Sequence, residues 1–293
     1  MITVLQAAIL GLIQGITELF PISSLGHSVI LPKLFGWNLD QGDPAFLGLL
    51  IATHLATAIV LFFFFLKDWI RVFKGLGRSI RDRRIAPGDT YAKLGWLLVI
   101  ATLPAGLLGL LLEKPIKLLF ASPLVAAAFL VVNGVILYTA ERLRKRQSAV
   151  AEESIDAERN DAEIAGLTFR RGLGIGAAQA AALIPGISRS GASMVGGLLS
   201  GLSHETAARF SFLLATPIIA AAALFKLPEI LAPGMIAANG AAFLVGALCA
   251  ALAAWFATRF LLRYFETRTL LPFAIYCVVA GILYFVALLV LTA

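Results

Sequence analysis

Charge is scarce in this chain. Asp, Glu, Lys and Arg make up 14% of its 293 residues against 60% hydrophobic, and the mean hydropathy is +0.91. Soluble domains carry roughly 25% charge, so a water-soluble fold would have to hide more apolar surface than its interior holds. The composition predicts a polytopic membrane protein. Cysteine is nearly absent too. Cys249 and Cys277 both fall in apolar runs, which leaves them as small buried hydrophobes and excludes a disulfide framework or a metal pair. No CxxC, HExxH or Walker-type glycine loop occurs, so zinc-peptidase and ATPase chemistry have no local support. A basic leader is missing ahead of the first apolar stretch, which therefore reads as part of the mature protein. The net charge of +7 reflects basic residues gathered in loops beside spanning helices. No basic face on a folded domain is visible, so nucleic acid is not an expected partner.

What is present is a pair of polar patches set in apolar surroundings, Gln14–Ser28 (QGITELFPISSLGHS) and Gln179–Ser193 (QAAALIPGISRSGAS). A shift of 165 positions aligns Gly11 with Gly176, Gln14 with Gln179, Ser23 with Ser188, Gly26 with Gly191 and Ser28 with Ser193. Ser24 is matched by Arg189, while Glu18 and His27 have no counterpart. The second apolar arm of each patch is shorter than the roughly 20 residues a span needs. A break rich in proline and serine is tolerable at membrane depth only inside protein or beside a wet cavity. Each patch is therefore expected to be a re-entrant hairpin.

The chain is read as one all-α membrane domain, an inverted-topology repeat with two re-entrant helical hairpins and six transmembrane helices. Repeat one, 1–141, holds the hairpin 1–36 and spans at 45–66, 94–112 and 121–140, the last two joined by a turn at Glu113-Lys-Pro. A cytoplasmic linker, 142–171, leads to repeat two, 172–293, with the hairpin 172–200 and spans at 207–226, 235–258 and 270–292. Lys67–Lys93 carries eight Lys/Arg against three Asp, which places that loop in the cytoplasm. Parity places the Glu141–Arg171 loop on the same side. Inverted repeats commonly put their site where broken helices meet near the midplane.

Glu18 lies four residues after Gln14, on the same helical face. A carboxylate at that depth is costly and usually faces a cavity or a partner. Ser23, Ser24 and His27 follow Pro21, with Ser23 able to cap a new helix and Ser24 suited either to capping or to nucleophilic duty. Arg189 is the sharpest single residue, because a buried guanidinium wants a planar oxyanion such as phosphate. Ser188, Ser190 and Gly191 around it would add to an anion site at a helix start. Gln179 and His54 are accessory candidates, and Arg209 is a lesser one. One carboxylate, an amide, a Ser/His pair and an arginine suit phosphoryl chemistry and anion transport equally.

These motifs resemble a known family, the undecaprenyl-diphosphate phosphatases or bacitracin-resistance proteins of the BacA type. QGITELFPISSLGH is similar to the family's first signature and PGISRSGAS to its second. Ala208-Arg-Phe-Ser-Phe-Leu-Leu-Ala-Thr-Pro, Leu271-Pro-Phe-Ala-Ile-Tyr and His54-Leu-Ala-Thr resemble further family blocks. The resemblance implies removal of the terminal phosphate of undecaprenyl diphosphate, recycling the lipid carrier for cell-wall synthesis and conferring bacitracin resistance. It implies a divalent cation, Mg2+ or Ca2+, with Glu18 and Gln14 as its ligands. It implies Glu18, Ser24, His27 and Arg189 as catalytic residues, Arg189, Ser188, Ser190, Ser23 and Gly191 binding phosphate, and His27 either handling the proton of Ser24 or protonating the leaving group. Gln14 departs from members with Glu there, so only one carboxylate remains in that helix. The expected setting is the bacterial cytoplasmic (inner) membrane, with the active site facing the outer or periplasmic side. The expected partners are the lipid substrate, the bilayer and a second copy in a homodimer. The rival reading is a polyprenyl-phosphate or anion transporter, a flippase using the same inverted-repeat site.

Overall fold

The computed structural model describes residues 2–37, 39, 40, 42–112, 122–147, 157–232 and 234–292. Its elements there are all helical. In chain order they are α1 (Val4–Thr17), α2 (Ser24–Leu34), α3 (Pro44–Phe64), α4 (Leu66–Arg81), α5 (Thr90–Leu111), α6 (Pro123–Gln147), α7 (Ala157–Ala165), α8 (Phe169–Ala180), a 3-10 turn (Ala181–Leu183), α9 (Arg189–Leu199), α10 (His204–Ile230), α11 (Met235–Phe265) and α12 (Leu271–Thr292). Six of them, α3, α5, α6, α10, α11 and α12, are long and apolar enough to cross a membrane. They coincide, within a few residues at most ends, with the six expected spans. The turn expected at Glu113-Lys-Pro lies outside the described residues, as does 148–156 of the expected linker.

Capping residues decide where helices begin. Thr3 caps α1 through a reciprocal box with Gln6, and Asp43 caps α3 with Pro44 at its first position. Asp89, Thr168, Ser188 and Ser203 cap α5, α8, α9 and α10 in the same way. The two short helix pairs expected as hairpins are α1/α2 and α8/α9, and each is broken where its patch has proline and serine. The Lys67–Lys93 segment, read as a loop, is mostly helix. Its apolar positions Trp69, Val72 and Leu76 recur at helical spacing, and α4 packs them against α5 and α3. The density of charge hid that period.

Packing ties the two halves together. α1 lies along α11, α8 along α5, and α6 against α12, while α3 packs on both α10 and α11. The α1/α11 approach is so close that a Cβ on Gly11 would stand 2.2 Å from the carbonyl oxygen of Gly246. Gly176, the aligned glycine of the second patch, makes the matching contact: a Cβ there would stand 2.3 Å from the carbonyl oxygen of Ala101. Small residues allow this backbone contact, which is how helices associate when lipid removes the hydrophobic incentive. The largest apolar cluster draws on both halves, from Leu19 and Leu61 to Phe210, Phe212 and Cys277. It surrounds the point where the two broken helix pairs meet.

Candidate functional site

Glu18 closes α1 and is buried, with 6% of its surface exposed. One turn earlier, Gln14 donates Nε2 to Glu18 Oε2 at 3.1 Å. The chain then turns through Leu19 to Ile22, and Ser23 takes φ 69°, ψ 99°. Such a conformation costs a non-glycine residue about 1–3 kcal/mol and persists where neighbours over-determine it. Ser23 Oγ accepts from Gly26 N–H, starting α2. Ser24, the first residue of that helix, is thereby aimed back at α1, where its hydroxyl donates to Glu18 Oε2 at 2.5 Å. This is a short, charge-assisted bond.

Arg189 opens α9 from the other half of the chain. Its Nε donates to Glu18 Oε1 at 3.0 Å, and its Nη1 donates to the carbonyl of Ser211 at 3.5 Å. Its Nη2 is buried without a hydrogen-bond partner, and so is Gln14 Oε1. A buried unpaired donor costs about 1–3 kcal/mol. A guanidinium edge and an amide oxygen left in that condition beside one carboxylate mark a place made for a polar ligand. His54, from α3, completes the group. Its Nδ1–H donates to the carbonyl of Leu50 at 2.7 Å, and its Nε2 stands 3.5 Å from Glu18 Oε2. The carboxylate of Glu18 therefore gathers groups from α1, α2, α3 and α9.

The structure brings Gln14, Glu18, Ser24, His54 and Arg189 together. His27 is placed differently from the expected Ser/His pair. One turn after Ser23, its Nδ1–H donates to the carbonyl of Ser23 at 2.7 Å, so its Nε2 accepts from the hydroxyl of Tyr276 at 2.8 Å. Its ring stacks on Tyr276 and meets the edge of Tyr284. Helical geometry carries His27 round to α12 and away from Ser24.

Ser188 and Ser190 bind the two breaks to each other through the carbonyl of Phe20, and Gly191 bonds back to Ser188. Ser188 Oγ accepts from Gly191 N–H at 3.1 Å, and Ser190 Oγ donates to the carbonyl of Phe20 at 3.0 Å. Gln179 is buried with both amide atoms unpartnered and forms no hydrogen bond to the group around Glu18. Arg209 is a structural tie instead: it pairs with Asp161 of α7 at 2.9 Å and with Asp68 of α4 at 3.0 Å. Burial holds the Asp68 carboxyl above its ordinary range even though Arg209 pulls the other way.

Three residues escaped the sequence reading. Asn133, in α6, donates Nδ2 to the carbonyl of Pro21 at 2.9 Å and accepts from Ser188 N–H at 3.0 Å, so one side chain joins both breaks. Ser211 supplies the carbonyl that holds Arg189, and its hydroxyl bonds with Ser193 at 2.7 Å. Tyr276 holds His27. The available signal was an amide alone in the apolar run VVNGV, which marks a residue with a partner to meet.

A cation would find few ligands on the protein. No group of three or more His, Cys, Asp or Glu able to hold a metal occurs among the described residues. The unpartnered Gln14 Oε1 beside Glu18 offers oxygen donors of the hard type that Mg2+ or Ca2+ takes. That set fits an ion whose remaining ligands come from substrate oxygens and water.

The chain is similar to known proteins along nearly its whole length. The family described as bacitracin resistance protein BacA matches residues 7–283. The chain is 49% identical over 290 residues to an undecaprenyl-diphosphatase of Mycolicibacterium paratuberculosis, covering 94% of each chain. It is 46% identical to an undecaprenyl-diphosphatase of Acidiphilium cryptum over 96% of each chain. An undecaprenyl-diphosphatase 1 of Burkholderia pseudomallei is 42% identical over 93% of this chain and 92% of its own. With the match running almost end to end and through both broken helix pairs, the chain belongs to the bacitracin resistance protein BacA family.

Proposed function

We propose that this membrane protein hydrolyses undecaprenyl diphosphate to undecaprenyl phosphate and inorganic phosphate, returning the lipid carrier to cell-wall synthesis and so conferring bacitracin resistance. The names of its relatives support the activity. The observation that carries the mechanism is the convergence of Ser24 and Arg189 on Glu18.

Arg189 receives the terminal phosphate. Its unpartnered Nη2 is the donor for a phosphoryl oxygen, and its link to Glu18 fixes its plane. Ser24 Oγ attacks the terminal phosphorus in line while its proton passes to Glu18, onto which the hydroxyl is already directed. The bond to the bridging oxygen breaks, and undecaprenyl phosphate departs carrying that oxygen and the proton from Glu18, which is again a carboxylate. Water then attacks the phosphoserine, with Glu18 taking a proton from it, to release inorganic phosphate and restore the Ser24 hydroxyl. The proton role expected of His27 falls to Glu18 in this reading, because both ring nitrogens of His27 are engaged by Ser23 and Tyr276. Mg2+ or Ca2+, held by Gln14 Oε1, Glu18 and phosphate oxygens, would supply charge neutralisation. The polyprenyl chain lies among apolar helices, where each buried methylene is worth roughly 0.8 kcal/mol.

We read the architecture as an inverted repeat of one re-entrant hairpin and three spans in each half. The crosswise packing of α1 on α11 and of α8 on α5, with aligned Gly11 and Gly176 at the closest points, supports this. The setting is the bacterial cytoplasmic membrane, with the site open to the outer side and the basic Lys67–Lys93 segment in the cytoplasm. Assembly as a homodimer remains part of the proposal and is read out by cross-linking in membranes.

The test is phosphate release from undecaprenyl diphosphate by the purified protein, with and without chelator, beside Glu18→Ala and Arg189→Ala. Release by the parent and its loss in both folded variants are expected. No release by the parent, with transport across a sealed bilayer, would make it a carrier. Rapid quenching should trap phosphoserine at Ser24. Product containing solvent oxygen with no covalent species at any time would move the attack to water and leave Ser24 as a phosphate ligand.

A further inference from the structure

Away from the site, α4 and the turn after it form a second feature that the hydrolytic reading does not use. Basic residues line α4, and most are engaged: Arg78 with Asp89, Arg81 with Asp82, and Arg71 with the Tyr91 hydroxyl. Arg83 and Arg84, just past the helix end, form no ion pair among the described residues. Both are exposed, and Arg83 takes φ 50°. They stand at a cavity of about 420 Å³ whose other walls are apolar, chiefly Ile80, Ile85, Trp96, Ile100 and Phe169. The one polar group inside, Ser79 Oγ, is spent, accepting from Trp96 Nε1 at 2.9 Å and donating to the Leu76 carbonyl at 2.8 Å. No acidic side chain lines the cavity.

A ligand for this place needs an anionic head for two guanidinium groups and an apolar body for the rest. Free phosphate would leave the aromatic and aliphatic walls unused. An uncharged lipid would leave the arginines unanswered. Further along α4 and α5, exposed Phe73, Val99 and Leu103 line a second, separate apolar groove. A tryptophan at the boundary between basic loop and span is the usual anchor at the membrane interface.

We propose that this cavity binds an anionic phospholipid of the surrounding bilayer, its phosphate between Arg83 and Arg84 and the start of its chains on Trp96, Ile100 and Phe169. A basic residue close to an anionic membrane surface contributes about 1 kcal/mol, or about fivefold, so the pair gives about 30-fold preference over a zwitterionic lipid. The site holds lipid beside the α4–α5 turn and leaves the hydrolytic centre untouched.

The experiment uses the full chain in nanodiscs doped with lipids carrying brominated chains, which quench nearby tryptophan. The Trp96 contribution is the difference between the parent and Trp96→Phe. Phosphatidylglycerol should quench Trp96 at a mole fraction about 30-fold lower than phosphatidylcholine with the same chains. Arg83→Gln/Arg84→Gln should erase the preference while phosphate release continues. Lys74→Gln/Arg81→Gln, an equal loss of charge on α4 itself and outside the cavity, should preserve it. Equal quenching by the two lipids, equal loss in both double variants, or displacement by free inorganic phosphate would each overturn the proposal.

Discussion

Asn133 offers the sharpest test of how the two halves make one site. It is buried, with 1% of its surface exposed, and its amide is the only described side chain bonded to both Pro21, three residues before Ser24, and Ser188, the residue before Arg189. Asn133→Ala strands the Ser188 N–H and deprives the Pro21 carbonyl of its good donor. Each such loss costs about 1–3 kcal/mol. Cys277 Sγ remains 3.7 Å from that carbonyl as a weak donor, so the sum belongs near the lower half, about 2–4 kcal/mol. The larger consequence is catalytic. Ser24 and Arg189 must meet one phosphoryl group, and a misplacement of about 1 Å lowers a rate by about 100-fold. Asn133→Asp keeps an acceptor for Ser188 but buries a carboxylate and sets an oxygen against the Pro21 carbonyl, so it should lose at least as much stability as the alanine variant. The assay pairs the thermal midpoint of the solubilised protein with phosphate release measured well below that midpoint. A midpoint lowered with the low-temperature rate intact would mean that Asn133 only stabilises. A parent-like midpoint and rate would refute the reasoning altogether.

Removing one partner of the buried Glu18–Arg189 pair should cost about 3–5 kcal/mol, whereas Glu18→Gln with Arg189→Met should cost less than the two single changes added, as denaturation of all three variants would show. Gly11→Ala and Gly176→Ala each drive a methyl group to within 2.2 and 2.3 Å of a facing carbonyl oxygen and should both abolish recovery of folded protein, while Gly174→Ala, with nothing within 4 Å, should be recovered normally. His27→Gln and Tyr276→Phe should be non-additive by about 0.5–3 kcal/mol in a stability cycle, and additive effects would show that the observed hydrogen bond carries no coupling.

Spans, breaks and site chemistry were legible to different depths. The six long helices follow from uninterrupted apolar length, a local property, and they fall where expected within a few residues at most ends. The breaks were legible because proline, glycine and serine forbid a continuous helix at those points whatever surrounds them. Even the meeting of Glu18 with Arg189 could be anticipated, since neither charge tolerates membrane depth alone. α4 was missed because its apolar stripe is diluted by lysine and arginine. Asn133 was missed because one amide in a span names no partner.

By itself, the order of residues determined the membrane class, the positions of the helices and breaks, and the need for buried Glu18 and Arg189 to find each other, because each of these depends on transfer energy or backbone geometry within a few neighbouring residues. Only the tertiary structure decided that Ser24 bonds to Glu18 while His27 turns to Tyr276, that His54 joins the carboxylate, and that Asn133 joins both breaks. Those outcomes depend on the angles and offsets at which distant helices cross. A shift of one position along a helix turns a side chain by about 100°, and close packing of glycine against facing carbonyl oxygens fixes how α1 sits on α11 and α8 on α5.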